Sequence, residues 1–222
     1  LKKFDPFGWL ENYFSALFLH RLIRIGIITI LIIFLIHRIG QYNLYLIKPL
    51  WVVETIIYAI FIISYSIRIN PVARSQGLGE IAVPLVGGVL PFALLLSPPN
   101  PFIADNLLNL RVVFYWMVST TAFTIWGLWT IRRSFSITVE ARALVTDGPY
   151  RWIRHPVYIG EMFTALAVTI WRLSLLNTIL FTLFVVIQLY RARLEEEKLG
   201  RIFPDYSAYA LRAKWFWRYK AD

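Results

Sequence analysis

The chain has 222 residues, of which 58% are hydrophobic and 17% aromatic, with a mean hydropathy of +0.60. So apolar a composition excludes an ordinary water-soluble domain of this length and points to a polytopic membrane protein. The lack of cysteine excludes a disulfide framework, a thiolate metal site and a cysteine nucleophile, while 23 Lys+Arg against 13 Asp+Glu call for an anionic partner or a membrane surface.

Phe4, Phe7, Trp9, Tyr13, Phe14 and Phe18 open the chain without an uninterrupted apolar core. That pattern predicts an interfacial helix with an aromatic belt rather than a signal peptide. The first residue is Leu1 rather than Met, as in a trimmed chain. Six apolar stretches follow, at about 22–39, 49–67, 79–97, 112–131, 156–171 and 174–190, each read as an α-helical span of roughly 20 residues or slightly fewer. Glu54 falls about a turn and a half into the second and approaches a tunnel there. Glu80, at the start of the third, is expected at the interface, and Glu161, within two turns of the polar side, is expected to snorkel. Pro84, Gly87, Gly88 and Pro91 loosen the third stretch, and "SPPNP" at 97–101 makes a rigid turn. The last two stretches nearly touch at Trp171, Arg172 and Leu173, which predicts a tight helical hairpin.

With both termini inside, 19 of the 23 Lys and Arg fall in cytosolic segments, and only Arg38, Lys48, Arg111 and Arg172 lie on the other side. This positive-inside bias supports six spans, makes nucleic acid an unnecessary partner and leaves anionic membrane lipids to meet the basic surface. His20, His37 and His155 show no metal-ligand spacing, so no metal site is expected. "GLG" at Gly77–Gly79 lacks the third glycine and the preceding strand of a dinucleotide fold, and no P-loop occurs. The fold class predicted is all-α: one membrane domain of about six transmembrane helices, an N-terminal interfacial helix and a C-terminal cytosolic helical segment. From residue 132 onward two long polar segments, 132–155 and 191–222, flank the hairpin, so a site built from them would face the cytosol and abut the bilayer.

The candidate chemistry lies in those segments. If the helix "FVVIQLYRARLEEEKLGRIF" continues out of the membrane, Glu195 falls within about 40° of Phe184, Gln188, Arg191, Leu199 and Ile202 on its inward stripe. Glu197 points the other way, beside Arg193 and Arg201, as part of a solvated face. A carboxylate on a buried stripe needs a cation; Arg191 could supply one from within the helix, or a ligand could. In "GPYRWIRHPVYIG", Gly148 and Pro149 break the chain and Pro156 opens the fifth span, where its missing N–H is harmless. His155 is then at the N-cap, Tyr158 shares its face, and Gly160 leaves the backbone uncovered. Such a helix start attracts a carboxylate or another anion. Arg151 and Arg154 read as interface anchors or ligand contacts. A carboxylate on one buried face beside an anion-attracting helix start suits a zwitterion.

"ARALVTDGPYRWIRHPVYIG", a short apolar hairpin and then "RARLEEEKLGRIFPDYSAY" resemble the isoprenylcysteine carboxyl methyltransferase and phospholipid methyltransferase superfamily over about residues 132–210. The resemblance implies an integral membrane methyltransferase using S-adenosyl-L-methionine, with residues 1–131 on the acceptor side and 132–222 as the cofactor-binding core. It implies cofactor contacts from Arg142, Ala143, Leu144, Val145, Tyr150, His155, Pro156, Val157, Tyr158 and Glu195. Arg191 falls on the arginine implicated near the acceptor, and Arg142 stands where the isoprenylcysteine branch has a histidine. Methyl transfer is an in-line displacement in which the sulfonium becomes a thioether. A carboxylate or thiolate acceptor needs no base, whereas a phospholipid amine must first lose a proton, for which Glu161, His155 and Tyr158 are at hand. Two other readings compete: an NADPH-dependent reductase of the membrane sterol reductase type, and a nonenzymatic lipid-binding protein.

Overall fold

A computed structural model of the chain describes residue 13 and residues 15–219. Regular structure in them is helical: α1 (Ala16–Gly40), α2 (Lys48–Ile67), α3 (Gly77–Ala93), α4 (Pro101–Ala104), α5 (Leu107–Ile131), α6 (Pro156–Trp171), α7 (Leu175–Ile202) and α8 (Tyr206–Arg212). No strand occurs among the described residues. Two isolated bridges, Ala73 with Ala141 and Ile153 with Lys214, pin the polar stretch between α5 and α6 to its surroundings. Phe4, Phe7, Trp9 and Phe14 of the expected interfacial helix lie outside the described residues, while Phe18 is in the first turn of α1.

Local chemistry sets the helix starts. Asn106 takes the N–H groups of Leu108 and Asn109, Ser174 takes that of Asn177, and Pro156 is the first residue of α6. All six apolar stretches are helical. Lys48–Ile67, Gly77–Leu96, Leu107–Ile131 and Leu175–Ile202 are long and apolar enough to cross a membrane, whereas Pro156–Trp171 is apolar but shorter. The third stretch tightens into a 3-10 turn at Leu94–Leu96, just after Pro91. The sixth does not stop at 190: α7 runs unbroken for 28 residues, about 42 Å, and so exceeds a hydrocarbon core of about 30 Å.

The helices touch in the spatial order α1, α2, α5, α6, α7, α3, with α5 against α6 the most extensive contact. Two glycines let α5 and α6 approach. A Cβ on Gly160 would come 2.1 Å from Thr124 Oγ1, and one on Gly127 would come 2.8 Å from Val157 Cγ2. Gly160, expected to leave backbone open for a ligand, is therefore covered by α5. Its place in the sequence marks a close helix crossing.

Candidate functional site

The curled series of helices encloses a cavity of about 1440 Å³ whose lining runs from Arg38, Tyr45 and Glu54 at one end to the 134–145 stretch, Tyr150, His155, Glu195 and Tyr206 at the other. The second end is built by the polar segments. Gly148 has φ +55°, a conformation suited to glycine, and a Cβ there would also meet Thr130 at 2.7 Å. The turn it makes leads into the 3-10 segment Gly148–Arg151 and buries Tyr150.

His155 occupies the N-cap position of α6, as expected, but its side chain does not cap. Its Nε2 lies 2.8 Å from Glu196 Oε1, and its ring is parallel to that of Tyr158 at 5.4 Å. The Tyr158 hydroxyl donates to Glu195. Arg191 stacks its guanidinium 4.8 Å from the Tyr158 ring centre, places Nε 3.4 Å from Glu195 and donates through Nη2 to the Ile137 carbonyl at 2.9 Å. Arg142 is buried, paired with Glu140 and donating to the Ile69 carbonyl.

Arg142, Ala143, Leu144, Val145, Tyr150, His155, Val157, Tyr158, Arg191 and Glu195 thus line one cavity. Pro156 sits behind them, its ring toward Gly127. Glu54 lines the same cavity at the far end, paired with Arg38 and accepting from Tyr45 at 2.9 Å. Glu197 is on the solvated face with Arg193, as expected.

Three charged residues differ from expectation. Of the two readings of Arg154 the interfacial anchor falls, since it is 4% exposed, pairs with Glu196 at 2.9 Å and donates to the Trp217 carbonyl, while its place in the cavity lining leaves a ligand contact open. Glu80 is buried against Lys198, whose ammonium also bonds the carbonyls of Arg74 and Val139. That pair ties α3 and α7 to the stretch entering the site. Glu161 does not snorkel; it lines the cavity and accepts from Gln188. In each case a partner distant in sequence outweighs the pull of water.

Sequence reasoning also missed Glu196, Tyr206 and Tyr209. Glu196 is 3% exposed and gathers Arg154, His155 and Trp217 Nε1. Tyr206 and Tyr209 are three residues apart in α8, the spacing of one helix face, and that signal was available. Tyr209 donates to the Tyr150 carbonyl at 2.9 Å. Tyr206 lines the cavity with its hydroxyl buried and unpartnered among the described residues. Burial pushes the Tyr150, Tyr206 and Tyr209 hydroxyls well above their ordinary range, so all three stay protonated donors near neutrality.

The donor set at this end fits a zwitterion. Glu195 can receive an ammonium. The first-turn N–H groups of α6 and the Tyr206 hydroxyl can meet a carboxylate, and Leu144, Val145 and Leu199 supply apolar surface. Among the described residues no group of three or more His, Asp or Glu could hold a metal ion.

The model of the isoprenylcysteine carboxyl methyltransferase (ICMT) family matches residues 111–200, which take in α5, the 132–155 stretch, α6 and nearly all of α7. No curated protein and no solved structure matches the chain. The match covers 90 of the 222 residues; it bears out the resemblance carried by the paired motifs and points to a membrane methyltransferase.

Proposed function

We propose that this chain is an integral membrane methyltransferase that uses S-adenosyl-L-methionine and acts on a lipophilic acceptor reached from the bilayer. The observation that carries the reading is the single cavity, which joins a polar end suited to a zwitterion with an apolar volume at membrane depth. Ile30 and Phe34 of α1 and Leu85, Val89 and Phe92 of α3 line the cavity while remaining exposed, so they form a mouth between two helices facing lipid. In this reading α1 and α6 also cross, giving six spans, and both termini and the polar end face the cytosol.

When bound, the cofactor supplies a methyl group on a sulfonium. The chain's part is to hold and align. Glu195 takes the ammonium; Arg142, Ala143, Leu144, Val145, Tyr150, His155, Val157 and Tyr158 form the cradle, and Pro156 behind them fixes the start of α6. Glu196 fixes His155 from behind. Arg191, fixed by Glu195, Tyr158 and the Ile137 carbonyl, is the catalytic residue that positions the acceptor. Glu54 meets the acceptor at the far end. Such orientation supplies up to about 7–11 kcal/mol of the barrier in ideal intramolecular cases, and a site closed to water strengthens its charges. Acceptors of this shape include a prenylcysteine-type carboxylate, a thiol and a phospholipid amine.

Calorimetric titration of the detergent-solubilised protein with S-adenosylmethionine, S-adenosylhomocysteine and NADPH tests the reading. Both adenosyl ligands are expected to bind at micromolar concentration and NADPH not to bind. Glu195→Gln is expected to weaken both by at least tenfold, and Tyr206→Phe by a few fold. A clear NADPH signal with silence from the adenosyl ligands would move the chain to the reductases, and silence from all three would leave a lipid-binding protein.

A further inference from the structure

We propose that Glu161 recognises the acceptor and takes its proton, and that the acceptor is a lipophilic amine. The inference rests on the methyltransferase reading above and narrows it. Tyr158, Glu161, Ala165 and Val168 line the cavity at i, i+3, i+7 and i+10, one face of α6. Glu161 is thus about one turn deeper than Tyr158, on the side away from the residues assigned to the cofactor and toward the apolar volume. It is the first acidic group that a molecule entering from that volume meets beside the reacting end.

Its surroundings favour a cation with N–H groups. Across from it, Gln188 donates Nε2 to Glu161 Oε2, which leaves the amide's Oε1 buried and unpartnered among the described residues. Of the two only Glu161 lines the cavity, so the lone pairs its carboxylate does not spend on Gln188 are offered there, and an ammonium, with three N–H groups and no acceptor, complements them. The local charge agrees. Arg191 is met by Glu195 and by the Ile137 carbonyl, whereas Glu161 has no ion pair among the described residues. With Glu161 ionised and no methyl donor bound, Arg191, Glu195 and Glu161 together carry one net negative charge. A carboxylate acceptor would be repelled there, and a protonated amine would be drawn in.

The same placement supplies the chemistry that an amine needs. A protonated amine has no lone pair to attack with, so R–NH3+ gives one proton to the Glu161 carboxylate. The nitrogen lone pair then forms the C–N bond as the methyl–sulfur bond breaks and its electron pair returns to sulfur. The products are R–NH2+–CH3, a neutral thioether and the protonated Glu161, which releases its proton when the product leaves. Gln188 orients the carboxylate and is a positioning residue.

The test compares octadecylamine with octadecanoate. In the absence of any methyl donor, calorimetry is expected to show tighter binding of the amine by the wild-type protein at neutral pH. Glu161→Gln, which keeps the shape and the partner but not the charge, is expected to lose at least tenfold in amine affinity with octadecanoate binding no weaker. With labelled S-adenosylmethionine, methyl transfer to octadecylamine is expected to fall by about 10²–10⁴ in the variant while S-adenosylhomocysteine binds as before. Preference of the wild-type protein for octadecanoate, or no binding or methylation of the amine by a protein that binds S-adenosylhomocysteine, would overturn the proposal without needing a variant. So would a Gln variant that is less stable yet equally active on the amine, which would make the Glu161 and Gln188 pair a tie between α6 and α7. Failure of the wild-type protein to bind S-adenosylhomocysteine would instead sink the methyltransferase reading itself.

Discussion

Glu195, Glu196 and Glu197 are consecutive on α7, yet each meets a different environment because each step turns the side chain by about 100°. Glu195 faces the cavity and Glu197 faces solvent, and both placements follow from the apolar stripe of the helix. Glu196 lies between them, and its fate was not legible locally. It is buried because the chain after α8 folds back, laying Lys214 beside Ile153, Trp215 4.6 Å from the His155 ring, and Trp217 on the carboxylate. Arg154 could be read as an anchor or a ligand contact for the same reason: its partner is 42 residues away. Both ions of this pair are almost wholly out of water, so removing one leaves the other uncompensated. Glu196→Gln is expected to cost about 3–5 kcal/mol, against less than about 0.5 kcal/mol for Glu197→Gln on the exposed face. Thermal unfolding of the two solubilised variants measures the difference, and equal midpoints would mean that the Arg154 cluster contributes nothing to stability.

At the scale of helices, existence was legible because apolar runs are local signals, and so was the start at Pro156. The stretches placed at about 22 and 112 instead begin at Ala16 and Leu107, because helix continues into flanking residues less apolar than the runs. Pro156, Ser174 and Asn106 each stand where the structure begins a helix. Spatial order was not legible: nothing in the sequence says that α3 packs on α7, which leaves a cavity between α3 and the α1–α2 pair. Glycines were ambiguous in the same way. Gly160 touches Thr124 and Thr120 of α5, whereas Gly88 on α3 has nothing within 4 Å of a would-be Cβ and lines the cavity. Alanine is a better helix former than glycine by about 1 kcal/mol, so Gly88→Ala is expected to be neutral or slightly stabilising. Gly160→Ala must instead push α5 from α6, an overpacking that costs about 1–3 kcal/mol and exceeds the propensity gain. Opposite signs in the two unfolding midpoints would confirm that Gly160 serves helix packing. A Gly160→Ala variant as stable as Gly88→Ala would reopen its role at a ligand.

For the whole molecule, the question that governs function is which way the cavity's polar end faces. The proposed topology puts that end in the cytosol on the strength of the basic residues, but it requires α6 to cross, and its 16 residues reach only about 24 Å. Its neighbours supply what its length lacks. α5 packs along it through Gly127 and Gly160, and at the hairpin Arg172 donates to the carbonyls of Leu95 and Ser97, so the polar hairpin end is held among protein groups instead of lipid. Between Asp105 and Asp205 lie α5, α6 and α7, hence three crossings if α6 spans and two if it does not. The chain has no cysteine, so a single one introduced at either position reports its side without interference. Both aspartates are exposed, and Asp205 makes no side-chain cap to α8, so Asp105→Cys and Asp205→Cys should leave the fold intact. A membrane-impermeant maleimide applied to intact cells is expected to label the cysteine at 105 and to reach the one at 205 only after permeabilisation. Labelling of both from outside would place α6 as a re-entrant helix and turn the polar end of the cavity away from the compartment that holds the methyl donor, which would remove the physical basis of the proposed activity.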